Sequence, residues 1–325
     1  MPQPSVSYAC GRVGVLRRSV LGPSQLERLM AAHTYEEACR TLSDIGFVGA
    51  ENADFQAAAD QHVRRACVLV NEVTPRPELT DCFLLRYDIH NLKVLLKSRF
   101  LGKEPEFLSA CGSLPLEALR HAVSEHRYHA LPDVLRDALD ALEKQLARAF
   151  DPMLVDAELD KAMYRLIFDR LKRASCPTAR AYFTAKVDMQ NLIILLRTRA
   201  MQKDFAFFEK LFLPCGSVEL KAFGKAADDP ERLSRLMKPY GVNAVQTALQ
   251  CALDPSRLPL MEKAADDYLY SLFRGARYQS TGMDVLLGYL LKTQREATDV
   301  RLIMAGKLNG FAQSQLDERV RELDG

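Results

Sequence analysis

The 325-residue chain repeats a helix-length pattern of residues at a spacing of 100 positions. The first copy comprises Asp88, Asn91, Leu92, Leu95, Leu96 and Arg99, and the second comprises Asp188, Asn191, Leu192, Leu195, Leu196 and Arg199. A weaker third copy comprises Glu296, Asp299, Val300, Ile303 and Lys307. A companion motif, Cys111-Gly112-Ser113-Leu114, recurs as Cys215-Gly216-Ser217-Val218. Self-similarity at a fixed period predicts a chain built from three related units.

Each copy keeps the order acidic, amide or acidic, aliphatic, aliphatic, basic. An α-helix turns by about 100° per residue, so these five positions lie within about 100° of arc on one face. Polar groups on an apolar face predict buried or half-buried side chains that hydrogen-bond across a helix pair. We name the polar members the polar stripe: Asp88, Asn91, Arg99, Asp188, Asn191, Arg199, Glu296, Asp299 and Lys307.

The polar stripe has two interpretations, an internal packing network or a lining that grips a partner. We favour packing, because the same face carries aliphatic residues such as Leu92 and Leu192. Lys93 and Lys97, predicted to be exposed, are then the better candidates for partner contact in the first copy.

The composition favours helices and several sub-bundles. Hydrophobic residues make up 48%, and 16 Gly and 15 Pro are too few for a turn-rich sandwich. The length exceeds that at which a single core usually stops growing. Lys and Arg number 44 against 42 Asp and Glu, a net charge of +2, which gives no bulk electrostatic reason to expect nucleic acid or an anionic bilayer as partner.

The chain is expected to be a cytoplasmic protein with reduced thiols. Its eight cysteines form no Cys-x-x-Cys motif. The first eight residues are polar with two prolines, unlike a signal peptide, and no apolar run approaches the roughly 18 residues of a membrane span.

Helix boundaries are marked by caps and breakers. Capping boxes at Ser24/Glu27 and Thr34/Glu37 predict two short N-terminal helices. Longer helices are predicted at about 53–73, 78–101, 133–150, 153–174 and 178–201, and from Met261 onward.

The two clear copies, which span Tyr87 to Arg99 and Asp188 to Arg199, resemble the repeated signature of the C subunit of the V/A-type rotary ATPases, whose eukaryotic counterpart is the d subunit. The opening Tyr8-Ala9-Cys10-Gly11-Arg12-Val13 resembles the start of that family, and the agreement covers nearly the whole chain. Two departures are Glu296 and Asp299 in place of Asp and Asn, and Gly14 where the family often has a basic residue.

This resemblance implies an all-α funnel of three helical units around a pseudo-threefold axis. We place the units at 1–115, 116–220 and 221–325. The implied protein has no active site and no cofactor, is present once per complex, and is peripheral on the membrane through the ATPase. Its implied partners are the D and F subunits of the central stalk and the membrane ring of c (proteolipid) subunits, between which it would carry torque for ATP-linked proton or sodium transport.

Other chemistries are weakly represented. None of the Gly-Lys pairs has the upstream Gly or the following hydroxyl of a phosphate-binding loop, so we expect no ATP hydrolysis by this chain. His121, Glu125, His126 and His129 are the best candidate metal ligands, because 121, 125 and 129 would share a helical face. A solvated surface is the simpler interpretation, and no fourth ligand is evident.

The remaining charged groups are interpreted as structural. Neighbouring carboxylates at Asp228-Asp229 and Asp266-Asp267 point about 100° apart on a helix and do not converge on one substrate. Basic runs such as Arg17-Arg18 lack the aromatic residues of a nucleic-acid site. Two alternatives to the rotor adaptor stay open: a general helical-repeat scaffold for protein binding, and a metal-dependent helical enzyme.

Overall fold

A computed structural model describes residues 4–16, 21–47, 54–279 and 281–321, and within these ranges the chain is helical, with no β-strand. The predicted all-α class is confirmed. The α-helices are α1 Val6–Leu16, α2 Pro23–Ala31, α3 Tyr35–Asp44, α4 Phe55–Val73, α5 Pro77–Leu101, α6 Leu116–Ser124, α7 Asp133–Leu146, α8 Pro152–Arg173, α9 Pro177–Ala200, α10 Phe205–Leu211, α11 Leu220–Ala226, α12 Pro230–Arg235, α13 Val242–Leu253, α14 Leu258–Ser271, α15 Met283–Leu308 and α16 Gln313–Arg319. Short 3-10 helices lie at Lys238–Tyr240, Pro255–Arg257 and Arg274–Tyr278.

The chain divides into two compact units. The first combines the two ends, Met1–Arg76 and Glu262–Gly325, and the second is the continuous segment Pro77–Met261. The division into 1–115, 116–220 and 221–325 follows the sequence repeat and not these units, and it stays a prediction.

In the first unit, α15 is the central helix, and α1, α3, α4 and α16 pack against it. The buried face of α4 is aliphatic and small, with Val63, Ala66 and Val70. Burying this apolar face stabilises the unit at about 25 cal/mol per Å² removed from water.

In the second unit, α5 packs on α6 and α8, α7 packs on α8, and α9 contacts α8, α10 and α13. Phe83 on α5 lies against Tyr182 and Phe183 on α9, with ring centroids 5.1 and 4.8 Å apart. The helices of the two clear copies, α5 and α9, are therefore joined by an aromatic cluster.

Most predicted helices are confirmed, with two differences. α2 begins one residue before Ser24, with Gly22 as the N-cap and its N–H donating to Gln25 Oε1 at 3.1 Å, so the Ser24 capping box is wrong. The predicted long helix from Met261 is also wrong, because α14 ends at Ser271 and α15 starts only after Gly282. Gly282 has a φ of 138°, a backbone conformation that only glycine adopts without strain.

The Thr34 cap is confirmed, since its hydroxyl accepts from Glu37 N at 3.1 Å. Across the helices that the structure describes, none combines the length and the apolar character needed to cross a bilayer.

Candidate functional site

Asp88 binds the loop that follows its own helix. Its carboxylate accepts from Ser113 N at 2.9 Å, Ser113 Oγ at 2.8 Å and Leu114 N at 3.1 Å, and the side chain is completely buried. Burial raises the pKa of Asp88, and the donors from Leu114 and Ser113 oppose that rise. The carboxylate therefore holds α5 to the first Cys-Gly-Ser motif.

Asp188 makes the same connection in the second copy. It accepts from Ser217 N at 3.1 Å and Val218 N at 3.0 Å, and also from the hydroxyls of Ser217 and Tyr240. The repeated Asp and the repeated Cys-Gly-Ser motif are thus two halves of one contact.

The glycine of each motif is required by this contact. A Cβ added to Gly112 would lie 1.9 Å from Asp88 Oδ1, and one added to Gly216 would lie 2.1 Å from Asp188 Oδ1. No side chain fits there unless the carboxylate moves.

The repeated asparagines bind backbone in both directions. Asn91 Nδ2 donates to Ser109 O and Asn91 Oδ1 accepts from Ser109 N, both at 2.8 Å. Asn191 does the same with Leu213, at 3.0 and 2.8 Å. Both asparagines are completely buried. Each side chain therefore satisfies the N–H and the C=O of one loop residue, which have no partner in regular secondary structure.

The basic ends of the two copies differ. Arg99 donates to Val123 O and Glu143 Oε1, each at 2.6 Å. Burial opposes ionisation of Glu143, but hydrogen bonds from Tyr128 and Arg99 outweigh it and lower its pKa. Arg199 is half-buried, and its Nη1 is buried without a hydrogen-bond partner among the described residues.

The third copy takes its partners from the two ends of the chain. Glu296 Oε2 pairs with His62 Nε2 on α4 at 2.9 Å, and Asp299 accepts from Arg321 N at 3.2 Å. Lys307 Nζ donates to Met30 O at 2.6 Å. Burial raises the pKa of Glu296, against the attraction of His62, and raises the pKa of Asp299 to about 7.

The Asp and Asn of the first two copies therefore bond mainly to loops, which differs from the expected partners across a helix pair. Arg99, Glu296 and Lys307 do have partners on neighbouring helices, as expected. The Cys-Gly-Ser repeat is evident in the sequence, but its bond to Asp88 and Asp188 is not. The partners Tyr240, His62 and Arg321 have no local sequence signal.

Lys93 and Lys97 are not free surface charges, which corrects that expectation. Lys93 Nζ lies 2.7 Å from Asp160 Oδ1, and Lys97 Nζ lies 2.6 Å from Asp156 Oδ1, so two ion pairs join α5 to α8. The Lys97 and Asp156 side chains are 29% and 44% exposed.

The histidine cluster does not form the predicted helical face. α6 ends at Ser124, and His126 has a left-handed φ of 53°. His126 Nδ1 instead lies 3.4 Å from Glu143 Oε1. Among the residues that the structure describes, no group of His, Cys, Asp and Glu is arranged to hold a metal ion.

The two carboxylate pairs have structural roles. Asp229 is the N-cap of α12 and accepts from Glu231 N and Arg232 N at 3.0 Å each. Asp266 accepts from Arg321 Nε at 2.8 Å, and Asp267 pairs with Arg295. Arg17 and Arg18 lie outside the described residues.

Comparison with known proteins gives consistent matches. The family model of the ATP synthase (C/AC39) subunit matches residues 9–319. The C subunit of the V-type sodium ATPase of Enterococcus hirae is 26% identical over 83% of this chain and 83% of that protein. The C subunits of the V-type ATP synthases of Deinococcus radiodurans and Thermus thermophilus are 24% and 25% identical, each over 97% of this chain, and over 91% and 98% of their own lengths.

Proposed function

The chain belongs to the ATP synthase (C/AC39) subunit family, and we propose that it is the non-catalytic adaptor between a rotating central stalk and the membrane ring of c subunits in a V/A-type ATPase. On this proposal its partners are the D and F subunits of the stalk and the ring. One copy sits peripherally on the membrane sector, and units 1–115, 116–220 and 221–325 form a funnel around a pseudo-threefold axis. Proton or sodium transport linked to ATP depends on the connection.

The observation that supports the proposal, beside the family, is that the Asp and Asn of the first two copies are bonded to the chain's own backbone. Asp88, Asn91, Asp188 and Asn191 each fix a loop to a long helix and present no free group to a substrate. Fully satisfied buried networks rigidify a protein. Rigid joints between helices and loops suit an element that transmits torque, whereas catalysis needs groups that reach a reactant.

The experiment is to assemble the ATPase without this chain in sealed vesicles and to record phosphate release beside ion uptake. We expect hydrolysis to continue, because the nucleotide sites lie on other subunits, and ATP-driven uptake to be lost. Adding back the purified chain should restore uptake and is the control for damage during assembly. Full ATP-driven uptake in its absence would exclude an essential coupling role.

A further inference from the structure

A pocket of about 530 Å³ lies beside the C-terminal end of α5, bordered by α5, the connection after it, and α6. Leu95 and Val123, both almost fully buried, and Pro105 give it apolar walls. Arg99 of the polar stripe also lines the pocket, and its guanidinium is already held by Val123 O and Glu143.

The second copy shows what fills the corresponding space. Phe205 stands 100 positions after Pro105, and Gly224 stands 104 positions after Arg120, the same offsets as in the repeats. A Cβ on Gly224 would lie 3.2 Å from Cζ and 3.3 Å from Cε1 of Phe205, so the ring lies directly against α11. Phe205 also packs on the completely buried Phe208, with ring centroids 5.3 Å apart.

The first copy lacks this internal aromatic ring and leaves the place open. Proline replaces the phenylalanine, and Arg120 replaces the glycine. The lining carries both signs of charge, with Lys103 and Arg120 beside Glu104 and Glu117. The third cation, Arg99, is already paired with Glu143, so the pocket does not select an anion or a cation. The ligand that fits is an apolar ring, which would lie between the apolar walls with the polar side chains of the pocket around its edge.

Phe107 lies in the same connection between α5 and α6, but it does not line the pocket. Its side chain is 87% exposed, the most exposed large apolar side chain among the described residues, and it lies two positions after Pro105. Its φ of 58° is unfavourable for a bulky residue. The conformation is held by His90 Nε2, 3.0 Å from Phe107 O, and by the Asn91 bonds to Ser109. Backbone held in a sparsely populated region of this kind clusters at functional sites, which singles out the connection between α5 and α6.

We propose that the pocket between α5 and α6 is a docking site at which a partner polypeptide inserts an aromatic side chain. The internal repeat identifies the ring, since the chain's own Phe205 serves this purpose in the second copy. The proposal rests on the function above only in taking the partner to be another subunit of the same ATPase.

The first test fills the pocket in the way that the second copy does. Pro105→Phe combined with Arg120→Gly copies the second repeat into the first, and Lys203→Ala, at an exposed position of the second copy, is the control. Buried aromatic anchors commonly dominate interface affinity. We expect the double variant to bind the rest of the assembly at least about tenfold more weakly and the control to bind as the wild type does. Unchanged affinity of a folded double variant would overturn the proposal.

A second test does not depend on filling the pocket. Ser124→Cys places a thiol on its edge, and Ser256→Cys places one at an exposed position outside it. Maleimide labelling followed by peptide mapping should modify both in the free chain, and assembly should slow labelling at position 124 by at least about tenfold. Equal labelling at position 124 in the free and assembled chain would overturn the docking site. The coupling function would be untouched by that result, because it fails only if ATP-driven uptake persists without the chain.

Discussion

At the scale of single residues, the tightest requirement is the missing side chain at Gly112 and Gly216. Each glycine faces a buried carboxylate that accepts three or more hydrogen bonds. A methyl group must displace that carboxylate, and a buried acceptor without its donors costs about 1–3 kcal/mol.

We therefore expect Gly112→Ala to lower the free energy of unfolding by about 1–3 kcal/mol. The control is Gly14→Ala on α1, where nothing lies within 4 Å of the added methyl group. Alanine is the better helix former, so this change should be neutral or stabilising by up to about 1 kcal/mol. Urea denaturation measures both, and equal effects would show that the contact with Asp88 is dispensable.

Asp299 makes stability depend on pH. Burial raises its pKa from 3.8 to about 7, against the attraction of Arg321 and Arg295. Between those values the folded chain keeps a proton that the unfolded chain has released, so stability falls as pH rises through that window and is constant with respect to this group above it. Asp299→Asn should flatten the dependence by up to about 1.4 kcal/mol per pH unit. The measurement is the free energy of unfolding of both proteins, obtained by urea denaturation from pH 5 to 8. If the two proteins show the same dependence on pH, Asp299 does not carry the effect.

At the scale of elements, two kinds of contact hold α5 and α9. Asn191 supplies both hydrogen bonds of a buried backbone group, whereas Lys97 joins α5 to α8 through an ion pair that solvent reaches. Buried amides have no water to replace a lost partner, but a half-exposed ion pair is worth only about 0–1 kcal/mol.

Asn191→Leu should thus cost about 1–3 kcal/mol, and Lys97→Ala less than about 1 kcal/mol. Thermal denaturation ranks the two variants. A Lys97/Asp156 double-mutant cycle separates the ion pair from the packing of the lysine stem. Equal midpoints for Asn191→Leu and Lys97→Ala would mean that the asparagine does not stabilise the loop.

At the scale of the whole molecule, the two compact units differ in continuity. The second unit is one segment, but the first needs both ends of the chain, because α4 packs along α15. The bonds of His62 to Glu296 and of Asp60 to Arg301 cross the same helix pair.

We expect fragment 77–261 to fold by itself and fragment 1–76 to remain largely unfolded, because the latter exposes the apolar face of α4 to water. Circular dichroism and limited proteolysis measure both. Mixing 1–76 with 262–325 should restore helix and protease resistance, and a well-folded 1–76 alone would contradict this account.

Local sequence determined the helical class, most helix positions and the membership of the polar stripe. These depend on periodicity and on caps and breakers within a few residues, as at the Thr34 cap. The repeat also identified both halves of the contact between Asp88 and Gly112, because each half recurs in the sequence.

Only the tertiary structure decided where the stripe finds its partners. Asn91 bonds a residue 18 positions away, but Glu296 bonds His62 at a separation of 234, which no local pattern encodes. Tertiary packing likewise pairs Lys97 with Asp156. It also leaves a pocket beside Pro105, whereas at the corresponding position of the second copy Phe205 packs against Gly224. The physical reason is that helical periodicity alone determines which side chains share a face. Which other segment packs against that face depends on how the whole chain fills its interior.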